Sequence, residues 1–142
     1  MKATKICYFE TEDWAFHQHR FDLARAARDA GFQFALISPA GKHVDLIEKE
    51  GFSFFPITME RTGTNPVRER LSVMDLIGIY LKVRPDIVHH MALKPVFYGS
   101  LAAEICRIPI AINSLTGLGY LFTQETQERS KLRKLITPTL SR

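Results

Sequence analysis

The stretch RPDIVHHMALKPVFYGSLAAEICRIPIAIN, residues 84–113, decides the predicted fold of this chain. It contains a short apolar run at 87–88, a polar turn, a helical segment and a second β-branched run at 108–112. This order predicts a strand, a loop, a helix and a further strand. The polar turn contains His89, His90 and Lys94. Since ligands of open α/β sheets lie just beyond the carboxyl ends of the strands, the turn predicts a binding or catalytic crevice.

The remainder of the chain also alternates between strand and helix patterns. β-Forming residues predict strands at 5–9, 32–37 and 52–57. A polar loop is predicted at 10–19, and helices at 16–30, 43–50, 66–83, 96–106 and 125–136. Such alternation implies right-handed crossovers and a parallel sheet covered on both faces. We therefore predict an α/β, Rossmann-like three-layer domain with strand order 3-2-1-4-5.

Two helices carry predictions about burial. The helix after Pro66 has apolar residues at helical spacing, which predicts a buried stripe of Val67, Leu71, Met74, Ile77 and Leu81. Its polar residues are expected to face water, namely Arg68, Glu69, Ser72, Asp75 and Lys82. The helix at 96–106 is apolar nearly all round, so we expect close packing between the sheet and another layer.

The predicted strand order places two polar loops on opposite walls of one crevice. Order 3-2-1-4-5 has its switch point between the first and fourth strands. One wall would carry Glu12, Asp13, His17 and His19, and the other His89, His90 and Lys94. His89 follows a buried strand, so it is either a hydrogen-bonded packing residue or a catalytic one. Trp14 and Phe16 either cap the sheet or stack against a sugar ring.

Several common sites are disfavoured by the motifs. Histidines near carboxylates suggest zinc, but neither HExxH nor CxxC spacing occurs. The turn after the first strand has no glycine, which argues against a dinucleotide site there. The backbone amides of Gly117 and Gly119 either hold an anion or serve packing. A GxSxG elbow and a Walker loop are both absent from the sequence, so a self-contained hydrolase or phosphate-transfer enzyme is disfavoured.

Composition and charge restrict the class of protein. With 142 residues and 46% hydrophobic content, the chain fits one domain. Cys7 and Cys106 lie in apolar stretches, and no signal peptide is evident, so we expect reduced core thiols in a cytoplasmic protein. No apolar run approaches the roughly 20 residues of a membrane span.

The excess of positive charge lies near the end of the chain. The net charge is +4, and residues 129–142 contain basic residues but no acid. They form either a solvated helix face or a contact with an anionic membrane, through Arg129, Lys131, Arg133 and Lys134. Nucleic acid is disfavoured as a partner, because these residues are not interleaved with aromatics.

Two blocks of the sequence resemble a known family. TEDWAFHQHRFDLARAARDAGF, residues 11–32, and RPDIVHHMALKPVFYGSLAAEICRIPIAINSLTGLGYLF, residues 84–122, look like the amino-terminal domain of family 4 glycosyltransferases. The most similar members build bacterial surface polysaccharides on lipid carriers. The resemblance implies the GT-B fold, in which this domain receives the acceptor and a carboxy-terminal domain holds the nucleotide sugar. It also implies retaining transfer without metal or other cofactor.

The resemblance assigns roles to individual residues. Many members carry a DIVHxH pattern whose second histidine lies beside the reacting sugar. Here residues 86–89 match, Met91 occupies the second histidine position and His90 falls between. His89 is then the catalytic candidate, and the substrate-binding candidates are Glu12, Trp14, His19, His90, Lys94, Gly117 and Gly119.

We expect residues 1–142 to be the amino-terminal domain, with the donor-binding domain absent from this sequence. Transfer would then require a second domain, because donor and acceptor must be held in contact. Two alternatives remain. One is a non-catalytic, acceptor- or membrane-side partner of a split transferase. The other is a flavodoxin-like small-ligand module, although the acidic residues of a phosphoacceptor site are missing from the first and third strands.

Overall fold

The computed structural model describes residues 3–59 and 65–115. The strands are β1 (Lys5–Phe9), β2 (Gln33–Ser38), β3 (Ser53–Pro56), β4 (Ile87–Met91) and β5 (Ile110–Ser114). The helices are α1 (Asp13–His19), α2 (Phe21–Asp29), α3 (Val44–Lys49), α4 (Pro66–Val83) and α5 (Leu93–Ile105). The predicted last helix at 125–136 and most of the loop before it lie outside the described residues.

The five strands form one parallel sheet in the order β3-β2-β1-β4-β5, which confirms the predicted topology. β1 is central and pairs with β2 on one side and β4 on the other. The register aligns Tyr8 with His89 and Phe9 with His90. The connections run in opposite directions from β1, so the switch point lies between β1 and β4 as predicted.

Alternating side chains divide the core into two layers. Cys7, Phe9 and Val88 contribute to the layer that also contains Leu76 and Tyr80 of α4. Tyr8, on the opposite face, joins aromatic residues of α1, α2 and β2 with Ile47 of α3. The sheet is therefore covered by α4 and α5 on one face and by the first three helices on the other, which confirms the three-layer prediction.

The prediction for residues 10–19 was wrong in part. Asp13–His19 form a helix rather than a loop, and the chain breaks at Arg20 before α2 begins. Phe16 is fully buried against Tyr8, Phe34 and Phe52, so one aromatic side chain anchors this otherwise polar segment to the sheet. Phe16 thus belongs to the core, whereas Trp14 is exposed on the outer side of α1.

The predicted orientation of α4 was wrong. Of the five residues predicted to be buried, Ile77 is partly buried against the core, whereas Val67, Leu71, Met74 and Leu81 are exposed. The buried residues are Ser72, Leu76 and Tyr80. Ser72, predicted to face water, donates its hydroxyl to the carbonyl oxygen of Thr58 at 2.6 Å. The helix is apolar on two opposite sides, so the spacing of its apolar residues did not identify the side that meets the sheet.

α5 packs against α4, β4 and β5 through its small residues. Gly99, Ala102 and Ala103 are buried, while Leu101 and Ile105 are exposed. The expected close packing of α5 on the sheet is therefore present, but within the described residues no second layer covers Leu101 and Ile105. Both cysteines are free thiols; Cys7 is buried and Cys106 partly buried.

Candidate functional site

The carboxyl ends of β1, β4 and β5 meet at one edge of the sheet, where the switch point lies. Glu10 directly follows β1, His89 lies within β4, and Ser114 ends β5. Because the strands are parallel, these residues come together although they are far apart in the sequence. We call this group, together with Tyr8 and Arg20, the edge cluster.

His89 occupies the middle of the edge cluster. Its Nε2 atom and the Ser114 Oγ atom are 2.7 Å apart, a hydrogen bond between neighbouring strands. Its ring centre lies 4.7 Å from that of Tyr8, its register partner on β1. Burial, and then the positive charge of Arg20, lower the pKa of His89 below its ordinary value. The imidazole is therefore neutral at pH 7 and can accept a proton or a hydrogen bond.

Glu10, directly after β1, adds a carboxyl group that is not among the residues predicted from the sequence. The residue is 5% exposed, and its backbone N–H donates to the carbonyl oxygen of Ile37 at 3.0 Å, which extends the β1–β2 ladder. Burial raises the pKa of Glu10 from 4.5 to about 7, and the charge of Arg20 opposes this shift. A carboxyl group that exchanges its proton near neutral pH suits proton transfer.

Arg20 supplies the positive charge of the edge cluster. It stands between α1 and α2 with φ −122° and ψ −3°, where the chain leaves one helix and begins the next. Its charge opposes the effect of burial on Tyr8 and Glu10, whose pKa values burial raises, and adds to the effect of burial on His89, whose pKa burial lowers. The break between the two helices therefore places a guanidinium group beside the site, where it can attract an anionic part of a substrate.

His90 lies on the opposite face of the sheet from His89 and is 0% exposed. Its Nε2 atom is 2.9 Å from the Tyr80 hydroxyl, and its Nδ1 atom is 2.7 Å from Asn113 Oδ1. Since an amide oxygen only accepts, Nδ1 carries the proton and Nε2 accepts from Tyr80. Burial lowers the pKa of His90 to about 4. His90, a predicted substrate-binding residue, has both ring nitrogens bonded inside the core.

The two predicted walls of the crevice do not meet as expected. Asp13 is buried and accepts a hydrogen bond from the backbone N–H of His43 at 2.7 Å. The ring centre of His17 lies 5.0 Å from that of His43 and 4.7 Å from that of Phe21. Asp13 and His17 therefore face α3 rather than His89, because α1 is a helix and its side chains point to several sides.

The other two residues of the first predicted wall, Glu12 and His19, and the substrate-binding candidate Trp14 lie on or just before α1. Glu12 precedes the helix, and Trp14 and His19 are exposed with their ring centres 6.5 Å apart. An exposed indole beside an imidazole provides a surface on which a sugar ring could stack.

Lys94 belongs to the first turn of α5 but extends toward α4. Its Nζ atom forms an ion pair with Glu69 Oε1 at 2.9 Å, and both side chains are largely buried. The second carboxylate oxygen, Glu69 Oε2, is buried without a hydrogen-bond partner. Because α4 and α5 cover the other face of the sheet, this pair lies across the sheet from the edge cluster.

The turn between β4 and α5 has a strained backbone. Ala92 adopts φ 78° and ψ 173°, a conformation that only glycine adopts readily. Its N–H donates to the carbonyl oxygen of Ser114 at 3.0 Å, which holds the ends of β4 and β5 together. Strain of this kind collects at functional sites, and here it lies three residues after His89.

Other predicted site residues lie outside the described residues. These are Gly117, Gly119, Arg129, Lys131, Arg133 and Lys134. Within residues 3–59 and 65–115, no three His, Cys, Asp or Glu side chains form a group suited to a metal ion. Over the same residues, no helix combines the length and hydropathy of a membrane span. A cavity of about 220 Å³ opens at the opposite, amino-terminal edge of the sheet, between Lys5, Gln33 and Lys82.

Comparison with known proteins identifies a family. Residues 5–142 match the family model described as glycosyl transferase 4-like. No protein of curated function matches the sequence. Among solved structures, a glycosyltransferase from Rickettsia africae ESF-5 superposes with a TM-score of 0.66 at 17% identity, over 80% of this chain and 30% of that one.

Two other structures show the breadth of the fold. MurG from Acinetobacter baumannii has a TM-score of 0.57 at 18% identity, over 77% of this chain and 34% of that one. A UDP-GlcNAc 2-epimerase from Methanocaldococcus jannaschii has a TM-score of 0.54 at 16% identity, over 78% and 31% of the two chains. The chain thus spans about a third of the length of these structures. At such identities the likeness shows the fold alone, since transferases and epimerases share it.

Proposed function

The chain belongs to the glycosyl transferase 4-like family, and from that membership we propose that it is the acceptor-binding half of a retaining glycosyltransferase. In this proposal a second domain binds a nucleotide sugar, and the sugar passes to a saccharide or lipid-linked acceptor bound here.

The edge cluster is the observation that carries the proposal. A neutral imidazole, a buried carboxyl group with a pKa of about 7 and a guanidinium group converge at the switch point of a parallel sheet. In the proposed transfer, the acceptor oxygen bonds to the sugar carbon, the bond from that carbon to the nucleoside diphosphate breaks, and the imidazole or the ionised carboxylate takes the hydroxyl proton.

The proposed roles follow from the environment of each group. His89, held by Ser114, lies beside the reacting sugar and the acceptor hydroxyl. Glu10 accepts hydrogen bonds from the hydroxyl groups of the acceptor, and Arg20 attracts an anionic group such as a lipid-linked phosphate. Trp14 and His19 provide the outer stacking surface, and Glu12, Lys94, Gly117 and Gly119 remain proposed substrate contacts. No role is proposed for His90, because it has no exposed surface.

We include in the proposal a location on the cytoplasmic face of a membrane that holds the acceptor. The charge at Arg129, Lys131, Arg133 and Lys134 supports attraction to anionic lipid, worth about 1 kcal/mol for each residue near the surface.

Turnover and stability, measured together in the full-length protein, test the assignment of His89. His89→Ala should lower kcat by about a hundredfold, a typical contribution of a general acid or base. It should change the melting temperature little, because the ring is only partly buried. Ser114→Ala should lower kcat by a smaller factor, because it removes the hydrogen bond that holds the His89 imidazole.

His90→Ala is the matched control, since it removes an identical side chain one residue away. It should unfold much of the protein by leaving Tyr80 and Asn113 without their buried partner. If His89→Ala instead lowers stability as much as His90→Ala, or leaves kcat unchanged, the catalytic assignment fails. The proposed substrate contact of Lys94 predicts that Lys94→Ala lowers turnover more than stability, and a variant that mainly loses stability would leave Lys94 only its ion pair with Glu69.

A further inference from the structure

The cavity at the amino-terminal edge of the sheet lies far from the edge cluster. It has a volume of about 220 Å³ and lies between the sheet and the last turn of α4. Its floor is formed by the first residues of β1, β2 and β3, and Lys82 and Val83 of α4 lie above them. We call it the amino-edge cavity. Since a five-residue strand such as β1 is about 17 Å long, a ligand here would not overlap one at the edge cluster.

Small side chains on two neighbouring strands leave this space open. Ala35 on β2 and Ser53 on β3 are register partners, and both line the cavity on the face of the sheet that α4 covers. Phe55 and Val83 provide apolar walls. Cys7 lies at the floor, where burial raises the pKa of its thiol to about 12, so the thiol is neutral. The interior of the cavity is therefore mainly apolar and uncharged.

Two ammonium groups give the cavity a positive charge. Lys5 Nζ donates to the carbonyl oxygen of Val83 at 3.2 Å, which leaves two of its three N–H donors available. Lys82 Nζ lies 6.0 Å from the ring centre of Phe55, at the wall of the cavity. In the described part of the chain neither lysine forms an ion pair, and none of the lining residues is acidic. The carboxyl end of α4 offsets only about half an elementary charge, so the site stays positive.

An apolar interior beside two ammonium groups is complementary to an anion with an apolar body. An apolar cavity of about 150 Å³ can hold benzene, so the 220 Å³ of the amino-edge cavity has room for one aromatic ring and one substituent. The ring of Phe55 can stack against such a ligand, and the lysines can donate charge-assisted hydrogen bonds to its anionic group. We propose that the amino-edge cavity binds a small aromatic anion, namely one ring that carries a carboxylate or a phosphate group.

Binding of three small compounds to the full-length protein tests the proposal. Benzoate and phenyl phosphate represent the two anionic groups, and benzamide is a neutral compound with the shape of benzoate. Ligand-observed NMR titrations, without sugar or nucleotide, measure each dissociation constant. At least one anion should bind with a dissociation constant on the order of 1 mM, as expected for a ligand of this size. Benzamide should bind at least about fivefold more weakly, because it has no charge to pair with the lysines.

Four variants locate the binding site. Ser53→Phe fills the cavity and should abolish binding, and it should keep the fold because position 53 is exposed on the edge strand β3. Lys82→Gln should weaken binding of the anions about fivefold. Lys49→Gln is the matched control, since it removes the same charge at an exposed position on α3, and it should not change binding. Arg20→Gln should also leave binding unchanged, because Arg20 belongs to the opposite edge of the sheet.

Three results would overturn the proposal. The first is that benzamide binds as tightly as the anions, or that neither anion binds. The second is equal weakening by Lys82→Gln and Lys49→Gln, a comparison that remains decisive even if Ser53→Phe lowers the melting temperature. The third is loss of binding in Arg20→Gln, which would assign the anion to the edge cluster. Since no sugar transfer is measured, these results do not depend on the proposed function.

Discussion

The imidazole ring of His90 occupies the space that a side chain at position 99 would need, so only glycine fits beneath it. A Cβ atom at Gly99 would overlap the His90 ring. This contact allows α5 to approach β4 closely and closes the buried network of Tyr80, His90 and Asn113.

Gly99→Ala should therefore lower the free energy of unfolding by about 1–3 kcal/mol, the usual cost of overpacking a core. Gly78→Ala is the matched control, because Gly78 lies in the exposed middle of α4 with open space around it. It should raise stability by about 1 kcal/mol through helix propensity alone. Urea unfolding of both variants measures these changes. Equal effects of the two substitutions would contradict the close contact.

Glu10 should make the protein less stable as pH rises. Its pKa is about 7 in the folded protein and 4.5 when exposed, so the folded state binds more protons between these values. Stability is then lost as pH increases from 4.5 through 7. Glu10→Gln removes the charge and should stabilise the protein at pH 8 by on the order of 2–3 kcal/mol, with little effect at pH 4. Glu48→Gln, at an exposed position on α3, should change stability by less than about 0.5 kcal/mol at either pH.

Thermal unfolding across this pH range provides the measurement for Glu10. A Glu10→Gln variant whose stability parallels the native protein from pH 4 to pH 8 would mean that the carboxyl group is well solvated. The proposed role of Glu10 in binding the acceptor would then lose its main support.

Relief of backbone strain at Ala92 should stabilise the protein. Ala92→Gly removes the Cβ atom from a conformation that costs a non-glycine residue roughly 1–3 kcal/mol, although glycine loses more entropy on folding. A net gain of about 1 kcal/mol is expected. Ala26→Gly, at an exposed position inside α2, should instead lower stability by about 1 kcal/mol. If both variants are destabilised, the positive φ at position 92 is not strained.

Residues 1–142 alone should bind nucleotide sugars weakly, because the proposal assigns the donor to a second domain. Calorimetry with common uridine and guanosine diphosphate sugars checks this expectation. A dissociation constant below about 10 μM, equivalent to roughly 7 kcal/mol, would mean that this domain contacts the donor directly. The assignment of the acceptor to this half would then be wrong.

The sheet was predictable because its signals are local and repeated. β-Branched and aromatic runs such as Lys5–Phe9 alternate with helical patterns, and parallel crossovers have one strongly preferred hand. The orientation of α4 was not predictable in the same way. Its two sides have similar hydropathy, and only contact with the sheet decides which is buried.

The site was predicted in part for a related reason. His89 was found because it directly follows a β-branched run, a local signal. Glu10 and Arg20 were missed because a carboxylate and a guanidinium in a polar segment resemble solvated loop residues. Glu10 lies one residue beyond a strand, which is the signal that could have identified it. Arg20 depends on a break between two helices, and no residue at that point signals it.

The alternation of side chains along β4 limits the insertions and deletions that this sequence can tolerate. Two identical side chains, one residue apart, differ in their chemistry only because the strand pleat sends His89 to one face and His90 to the other. Inserting or deleting a single residue at the start of the strand would exchange them, so that the core would receive the wrong imidazole and the site would lose its own. We therefore expect tolerated insertions and deletions at this point to contain an even number of residues. The position of the histidine along β4 therefore determines its role as much as the residue type does.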